Sequence, residues 1–286
     1  WVTHEWLADV FMFALFSLGS FPLLIVTFST IITLSFALVF ARSDGRPYLA
    51  TLALLLAALA TAPTWGARPQ MISLLLMSVF LYVLDTQSDH KGRPYIWLLP
   101  PLMILWVNLH SGYALGLAIL AVYLFGEMVN VIANRLAAKQ SPIESEIASS
   151  QTPLLAMTEP RSRLRQLTLV FTACLLAVLI NPNGATMFVY PFETLTSPTM
   201  QAYIQEWFSP DFHQIEFQPF AWLMLATVAA IALSGKRASL TQTLLLVGTG
   251  YAGLRSARNI PLFAVVAAPI FAEHLWHIVT SLGWAK

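Results

Sequence analysis

Five short segments, separated by long apolar runs, hold the side chains capable of chemistry. They are His4-Glu5-Trp6 with Asp9; Trp65-Gly66-Ala67-Arg68-Pro69-Gln70; Asn108-Leu109-His110-Ser111-Gly112; the stretch 181–218; and Arg255-Ser256-Ala257-Arg258-Asn259. The stretch 181–218 has no Lys or Arg but carries Glu193, Glu206, Asp211 and Glu216 together with Trp207 and His213. A carboxylate beside an imidazole can orient it and stabilise its charged form, so acid–His proximity here is suited to general-base work. Alone, each acid in this stretch reads equally well as part of a solvated acidic loop. Arg255 and Arg258 are three apart, which on a continuous helix puts them on one face, and Arg68 stands at the end of another apolar run. Guanidinium groups grip phosphate bidentately, so this trio fits a phosphate or pyrophosphate; the bland reading is snorkelling plus pairing with Glu206 or Asp211. His4, His110 and nearby carboxylates raise a divalent cation as a possible cofactor, although no ligand pair has the i, i+4 or short-loop spacing of a metal site.

The elements that must position these residues are membrane helices. The chain is 57% hydrophobic and 10% charged, with mean hydropathy +0.69, far from the composition of a water-soluble domain. Apolar stretches at roughly 21–41, 47–62, 69–84, 95–107, 112–134, 166–180, 219–234, 239–255 and 259–279 predict an all-α polytopic transmembrane helical bundle of about nine spanning helices, because lipid offers open sheet edges no partners. Residues 1–286 read as one integral membrane domain. Residues 4–18, with Leu7, Val10, Phe11, Ala14, Leu15 and Leu18 at helical spacing and Thr3 as a cap, predict an amphipathic interfacial helix set off by Gly19 and Pro22, with a short extra span as the alternative. Pro100-Pro101 predicts a kink or break in its span. The connection 135–165, rich in Ser, Pro, Ala, Gln and Glu and ending in Arg161, Arg163 and Arg165, reads as a mobile cytoplasmic linker.

Charge distribution orients the bundle. Arg42, Arg46, Lys91, Arg93, Arg135, Lys139, Arg161, Arg163, Arg165, Lys236, Arg237 and Lys286 fall on one set of connections, and only Arg68, Arg255 and Arg258 on the other. Twelve against three predicts the orientation, with the first residues outside and the C-terminus in the cytoplasm; the membrane expected is the cytoplasmic (inner) one. All five polar segments then meet on the outer side. The middles of most apolar runs carry no charge, which argues against an ion-coupled transporter. The single cysteine, Cys174, excludes an internal disulfide, and no phosphate loop, zinc pattern or nucleophile elbow is present.

Taken together, Trp1-Val2-Thr3-His4-Glu5-Trp6-Leu7, Arg68-Pro69-Gln70, Trp106-Val107-Asn108-Leu109-His110-Ser111-Gly112, Asn181-Pro182-Asn183-Gly184 with Tyr190-Pro191, and Arg258-Asn259-Ile260-Pro261 resemble a group of bacterial multi-pass membrane proteins similar to C-type (GT-C) membrane glycosyltransferases. The resemblance runs over essentially the whole chain. It implies transfer of a sugar from a polyprenyl-phosphate-type lipid donor at the outer membrane face. It also implies a preceding span and an Asp-containing outer loop, whereas this chain opens at the His-Glu-Trp segment. The catalytic acid is then upstream, or Glu5 or Asp9 takes its role, or this copy is inactive.

On that reading the base is a carboxylate among Glu5, Asp9, Glu206 and Asp211, and Arg68, Arg255 and Arg258 bind the lipid phosphate. His4, Trp6, Trp65, Gln70, Asn108, His110, Tyr190, Trp207, His213 and Asn259 line the substrate. The partners are membrane lipid and the lipid-linked donor, with no nucleic acid. Two other readings stand beside it: a non-catalytic scaffold or assembly subunit docking a protein partner through an exposed 181–218 loop, and a lipid or polysaccharide exporter with a continuous polar path.

Overall fold

The computed structural model describes residues 4–43, 47–88, 94–140 and 152–284. Trp1, Val2, Thr3, Arg46, Lys91, Arg93, Lys286 and the 141–151 part of the expected linker lie outside them. The described residues are all-α with no strand: α1 (Trp6–Ala41), α2 (Pro47–Thr61), α3 (Pro69–Ser88), α4 (Leu99–Leu109), α5 (Tyr113–Gln140), α6 (Thr152–Ala177), α7 (Tyr190–Thr196), α8 (Pro198–Tyr203), α9 (Gln218–Leu233), α10 (Leu240–Arg255) and α11 (Ile260–Ser281), with short 3-10 turns between several of them. Among the described residues, six segments are long and apolar enough to cross a bilayer: Trp6–Ala41, Pro47–Thr64, Pro69–Thr86, Tyr113–Leu136, Ile215–Leu233 and Ala257–Ser281. The apolar runs in α4, α6 and α10 are helical too, but α4 and α10 have only 11 and 16 residues, short of the about 20 a perpendicular span needs.

Local chemistry accounts for the departures from expectation. Helix α1 breaks at Gly19 (φ −153°) and Ser20 (φ 52°), just before Pro22; a Cβ on Gly19 would stand 2.7 Å from that of Leu23. The portion before this break is apolar on both sides rather than amphipathic: Leu7, Phe11 and Leu15 pack inward while Val10, Phe13 and Leu18 are exposed. A helix apolar all round belongs against protein and lipid together. Pro100 and Pro101 fall in the first turn of α4, where the missing N–H groups cost nothing, so they start a helix rather than kink one. Helices α5 and α6 extend through 135–140 and 152–165, which are therefore helical and not a loose linker. Arg163 of α6 stands 3.7 Å from Glu127 of α5.

The core centres on α11, whose residues 263–272 are all buried. It packs most extensively on α2, and the contact is lined by small residues: Ala50, Ala53, Ala57 and Ala60 of α2 are at most 2% exposed, as are Ala264, Ala267, Ala268 and Ala272 of α11. Small side chains let helix backbones approach closely, the usual source of adhesion where lipid removes the hydrophobic drive.

Candidate functional site

The turn joining α4 to α5 builds the centre of the site. His110 follows the last residue of α4 in an extended conformation (φ −165°, ψ 148°) and is buried. Its Nδ1 accepts the Gly112 amide N–H at 2.9 Å and lies 2.7 Å from Ser73 Oγ, which itself accepts the Trp106 indole N–H at 2.7 Å. With Ser73 accepting from Trp106, its own proton points at Nδ1. Two donors on Nδ1 assign the imidazole proton to Nε2, which faces Glu5 Oε1 at 3.4 Å. Gly112 is required here, since a Cβ would stand 2.3 Å from Ser73 Oγ.

Glu5 receives a second imidazole. His4 Nε2 lies 3.1 Å from the same Oε1 and 3.3 Å from the Tyr190 hydroxyl, and the His4 and Tyr190 rings stack with centroids 4.2 Å apart. Burial works against ionisation of Glu5, but the hydrogen bond to His4 and the charges of His110, His4 and Arg258 hold its carboxyl below the usual range. Burial drives His110 the other way, and Arg258 and His4 add to it against the pull of Glu5; its imidazole is pushed down to about 4 and is neutral at neutral pH. Asn108 fixes the surrounding frame. Its Oδ1 accepts the Trp6 indole N–H at 2.8 Å, while its Nδ2 donates to Ile104 O at 2.8 Å and Ile180 O at 2.9 Å, joining α1, α4 and the end of α6.

The stretch 181–218 is a folded cap rather than an open loop. Ser256 Oγ donates to Glu206 O at 2.9 Å and the Ala257 amide donates to Phe208 O at 2.9 Å, fastening residues 205–209 to the turn between α10 and α11. That docking places Trp207 under Arg258, whose guanidinium carbon lies 4.5 Å from the ring centroid. Arg68 reaches the same cap through Glu206, at 2.7 Å. The charges of Glu206, Glu5 and Arg68 all act on Arg258, yet Arg258 makes no ion pair or hydrogen bond with another described residue. Beside the Trp6–Asn108 pair opens an apolar groove of about 510 Å³ between α1, α4 and the Ile180-Asn181-Pro182 turn, with Leu7, Ile104 and Leu105 in its walls.

The structure thus gathers His4, Glu5, Trp6, Arg68, Asn108, His110, Tyr190, Glu206, Trp207 and Arg258. Others fall elsewhere. Arg255 is exposed and does not share a face with Arg258, because Ser256 between them is extended (φ −152°, ψ 125°) and ends the helix. Asp9 is exposed on the first turn of α1. Asp211 is consumed by its own turn, accepting the His213 amide at 3.0 Å and the Gln214 side chain at 3.3 Å, and His213 is exposed. Trp65 packs edge-on against Phe36 and donates to Thr61 Oγ1 at 3.1 Å, on the flank between α1 and α2. Asn259 Nδ2 donates to Ala252 O at 3.3 Å, and Gln70 is half-buried beside Arg68 in sequence without a bond to the cluster. Among the described residues, no three His, Cys, Asp or Glu side chains are placed to hold a metal ion. Ser73, which orients His110, carries no mark in the sequence beyond being a polar atom in an apolar helix, and Trp106 stands there only as part of the run 106–112, with no role assigned.

Compared with protein-family models, with curated proteins and with solved structures, the chain matches none.

Proposed function

We propose that the chain is a membrane transferase that moves a sugar from a polyprenyl-phosphate-type donor to an acceptor hydroxyl at the outer face of the cytoplasmic membrane. The observation that carries the reading is Arg258: a half-buried guanidinium without a described carboxylate in contact, within the electrostatic reach of Glu206 and Glu5, in a protein whose Trp6 and Asn108 border an apolar groove. A lipid phosphate supplies what this arrangement lacks, an anion for Arg258 and a chain for the groove. Glu5 takes the acceptor O–H proton as the acceptor oxygen bonds to the anomeric carbon. The bond from that carbon to the phosphate oxygen breaks, and the phosphate leaves with the electron pair against Arg258. A carboxylate held below its usual range is a weak base, so its part is to orient the hydroxyl and accept the proton late. His110, neutral and fixed through Ser73, is the positioning residue for Glu5. Trp6 and Trp207 offer flat faces to the sugar. The Lys and Arg asymmetry supports an outward orientation for this end of the bundle.

The test is thermal unfolding of the full-length protein in nanodiscs titrated with undecaprenyl phosphate. A saturable rise in the midpoint is expected, with Arg258→Ala weakening it at least about tenfold, as loss of a charge-assisted bidentate contact implies. Exposed Arg255→Ala should leave it unchanged, and Glu5→Gln should keep binding but reduce turnover by about 10²–10⁴. A midpoint shift that persists in Arg258→Ala overturns the assignment. One observation favours the scaffold reading: Phe192, Tyr203 and Ile215 of the cap are 67%, 82% and 79% exposed, a surface apt for a protein partner. The same titration separates the two, since a scaffold gives no saturable response.

A further inference from the structure

A second polar region lies at the other end of the same helices. From Ser73 to Asp85 along α3 is about 18 Å of helix rise, and there a cavity of about 460 Å³ opens between α1, α3, α5, α6, α10 and α11. Seven charged side chains line it: Asp85, Glu127 and Glu273, with Arg42, Arg163, Lys236 and Arg237. Each carboxylate already has a cation. Arg42, buried, donates to Asp85 Oδ2 at 2.7 Å and to Val265 O at 2.9 Å, and the Tyr123 hydroxyl donates to the other Asp85 oxygen. Glu127 faces Arg163 at 3.7 Å, and Glu273 accepts from Lys236 and, at 3.0 Å, from Gln242. Arg237 is exposed at the rim and makes no ion pair with a described residue.

The lining therefore carries four cations against three carboxylates. An ammonium has three donors and a guanidinium five, while one carboxylate engages Lys236 and none engages Arg237. Because each of its carboxylates already faces a cation, such a cavity favours an anion over a metal cation. It is donor-rich, and its volume is in the range of small-ligand sites. Ser239, Thr241 and Gln242 bring the first turn of α10 to the same wall, adding its positive end.

We infer that this cavity binds a phosphate monoester, with Lys236 and Arg237 at its mouth as the recognition pair and Arg42–Asp85 as the fixed floor. The ester has two sources, a lipid headgroup or a soluble phosphate compound. Full-length protein in phosphatidylcholine nanodiscs tests both. One arm adds dioleoylphosphatidic acid to the bilayer, the other adds inorganic phosphate, and thermal unfolding is followed in each. The expected result is a saturable rise in midpoint in at least one arm, weakened about tenfold or more in Arg237→Gln and retained in Arg237→Lys. Arg237 is exposed, so its replacement leaves the fold intact. Lys236→Gln is expected to act the same way, with Arg255→Gln, exposed at the other end and outside the gathered site, unaffected. A response to phosphatidic acid alone assigns a headgroup, and a response to inorganic phosphate as well assigns a soluble ester. No response in either arm, or one equal in Arg237→Gln, overturns the inference.

Discussion

Acidification is expected to destabilise this protein through His110 alone by roughly 3 kcal/mol between neutral pH and pH 4. The folded imidazole titrates at about 4, against a usual value of 6.5. Between those values the unfolded chain binds a proton that the folded chain refuses, so stability rises with pH across the window. It is fully present above 6.5 and lost as pH falls toward 4. The cause is local: burial removes water from the ring, and two donors, the Gly112 amide and the Ser73 hydroxyl, already point at the nitrogen that would have to carry the extra proton. Glu5, whose carboxyl is also held low, loses its contribution in the same direction at more acid pH. The measurement is the thermal midpoint in detergent as a function of pH, for wild type and His110→Gln. The wild-type curve should fall steeply below pH 6.5 and the variant curve should be nearly flat until Glu5 titrates. Parallel curves would show that His110 is not the group responsible.

Trp106→Ala is expected to cost roughly 3–5 kcal/mol, the range for truncating a fully buried aromatic side chain. Trp106 is 0% exposed, stands edge-on to Phe80 with centroids 5.2 Å apart, and lies under Gly116, where a Cβ would come within 2.7 Å of its ring. The more telling variant is Trp106→Phe. It keeps an aromatic ring in the core but removes the indole N–H together with part of the fused ring, at a cost of about 1–3 kcal/mol. Ser73 then no longer has to donate to His110 Nδ1, which removes one of the two donors opposing protonation there, while the Gly112 amide remains. The His110 pKa should move up toward 6.5, and the acid-destabilisation window should narrow. Ring NMR signals of His110 followed against pH check this directly. An unchanged titration in Trp106→Phe would mean that burial alone, and not the Ser73 hydrogen bond, sets the protonation state.

Much of the bundle was legible because apolar runs and helical periodicity report the solvent a helix meets. The apolar stretches are helices in the structure, and the alternation of charge pointed to segments that the fold does bring together: the Arg68–Glu206 pair and Arg258 over Trp207 join parts of the chain far apart in sequence. What misled was continuity. Arg255 and Arg258 share a face only if the helix runs through Ser256, and a single extended residue ends it. Composition misled at 152–165 as well, where Ser and Pro suggested a linker although the intervening side chains are good helix formers. The groups that set the His110 proton were invisible for a different reason. Ser73 and Trp106 sit in helices that read as uniformly apolar, and only three-dimensional packing reveals that their polar atoms meet. The Arg42–Asp85 pair was hidden similarly: each residue reads as a boundary charge at a helix end, and nothing local says that they face one another across the bundle.

The alanine seam between α2 and α11 has a mechanical consequence. Helix α11 follows closely on Arg258 at one end and carries Glu273 toward the other, while in between it packs most extensively on α2, where both helices carry buried alanines. A seam of that kind works as a gauge block: its thickness is the backbone separation itself, with no flexible side chain to absorb a change. One bulky residue inserted there would push the whole rod outward and carry both polar ends with it. The spacing of each site is therefore held by a strip of carbon that touches neither.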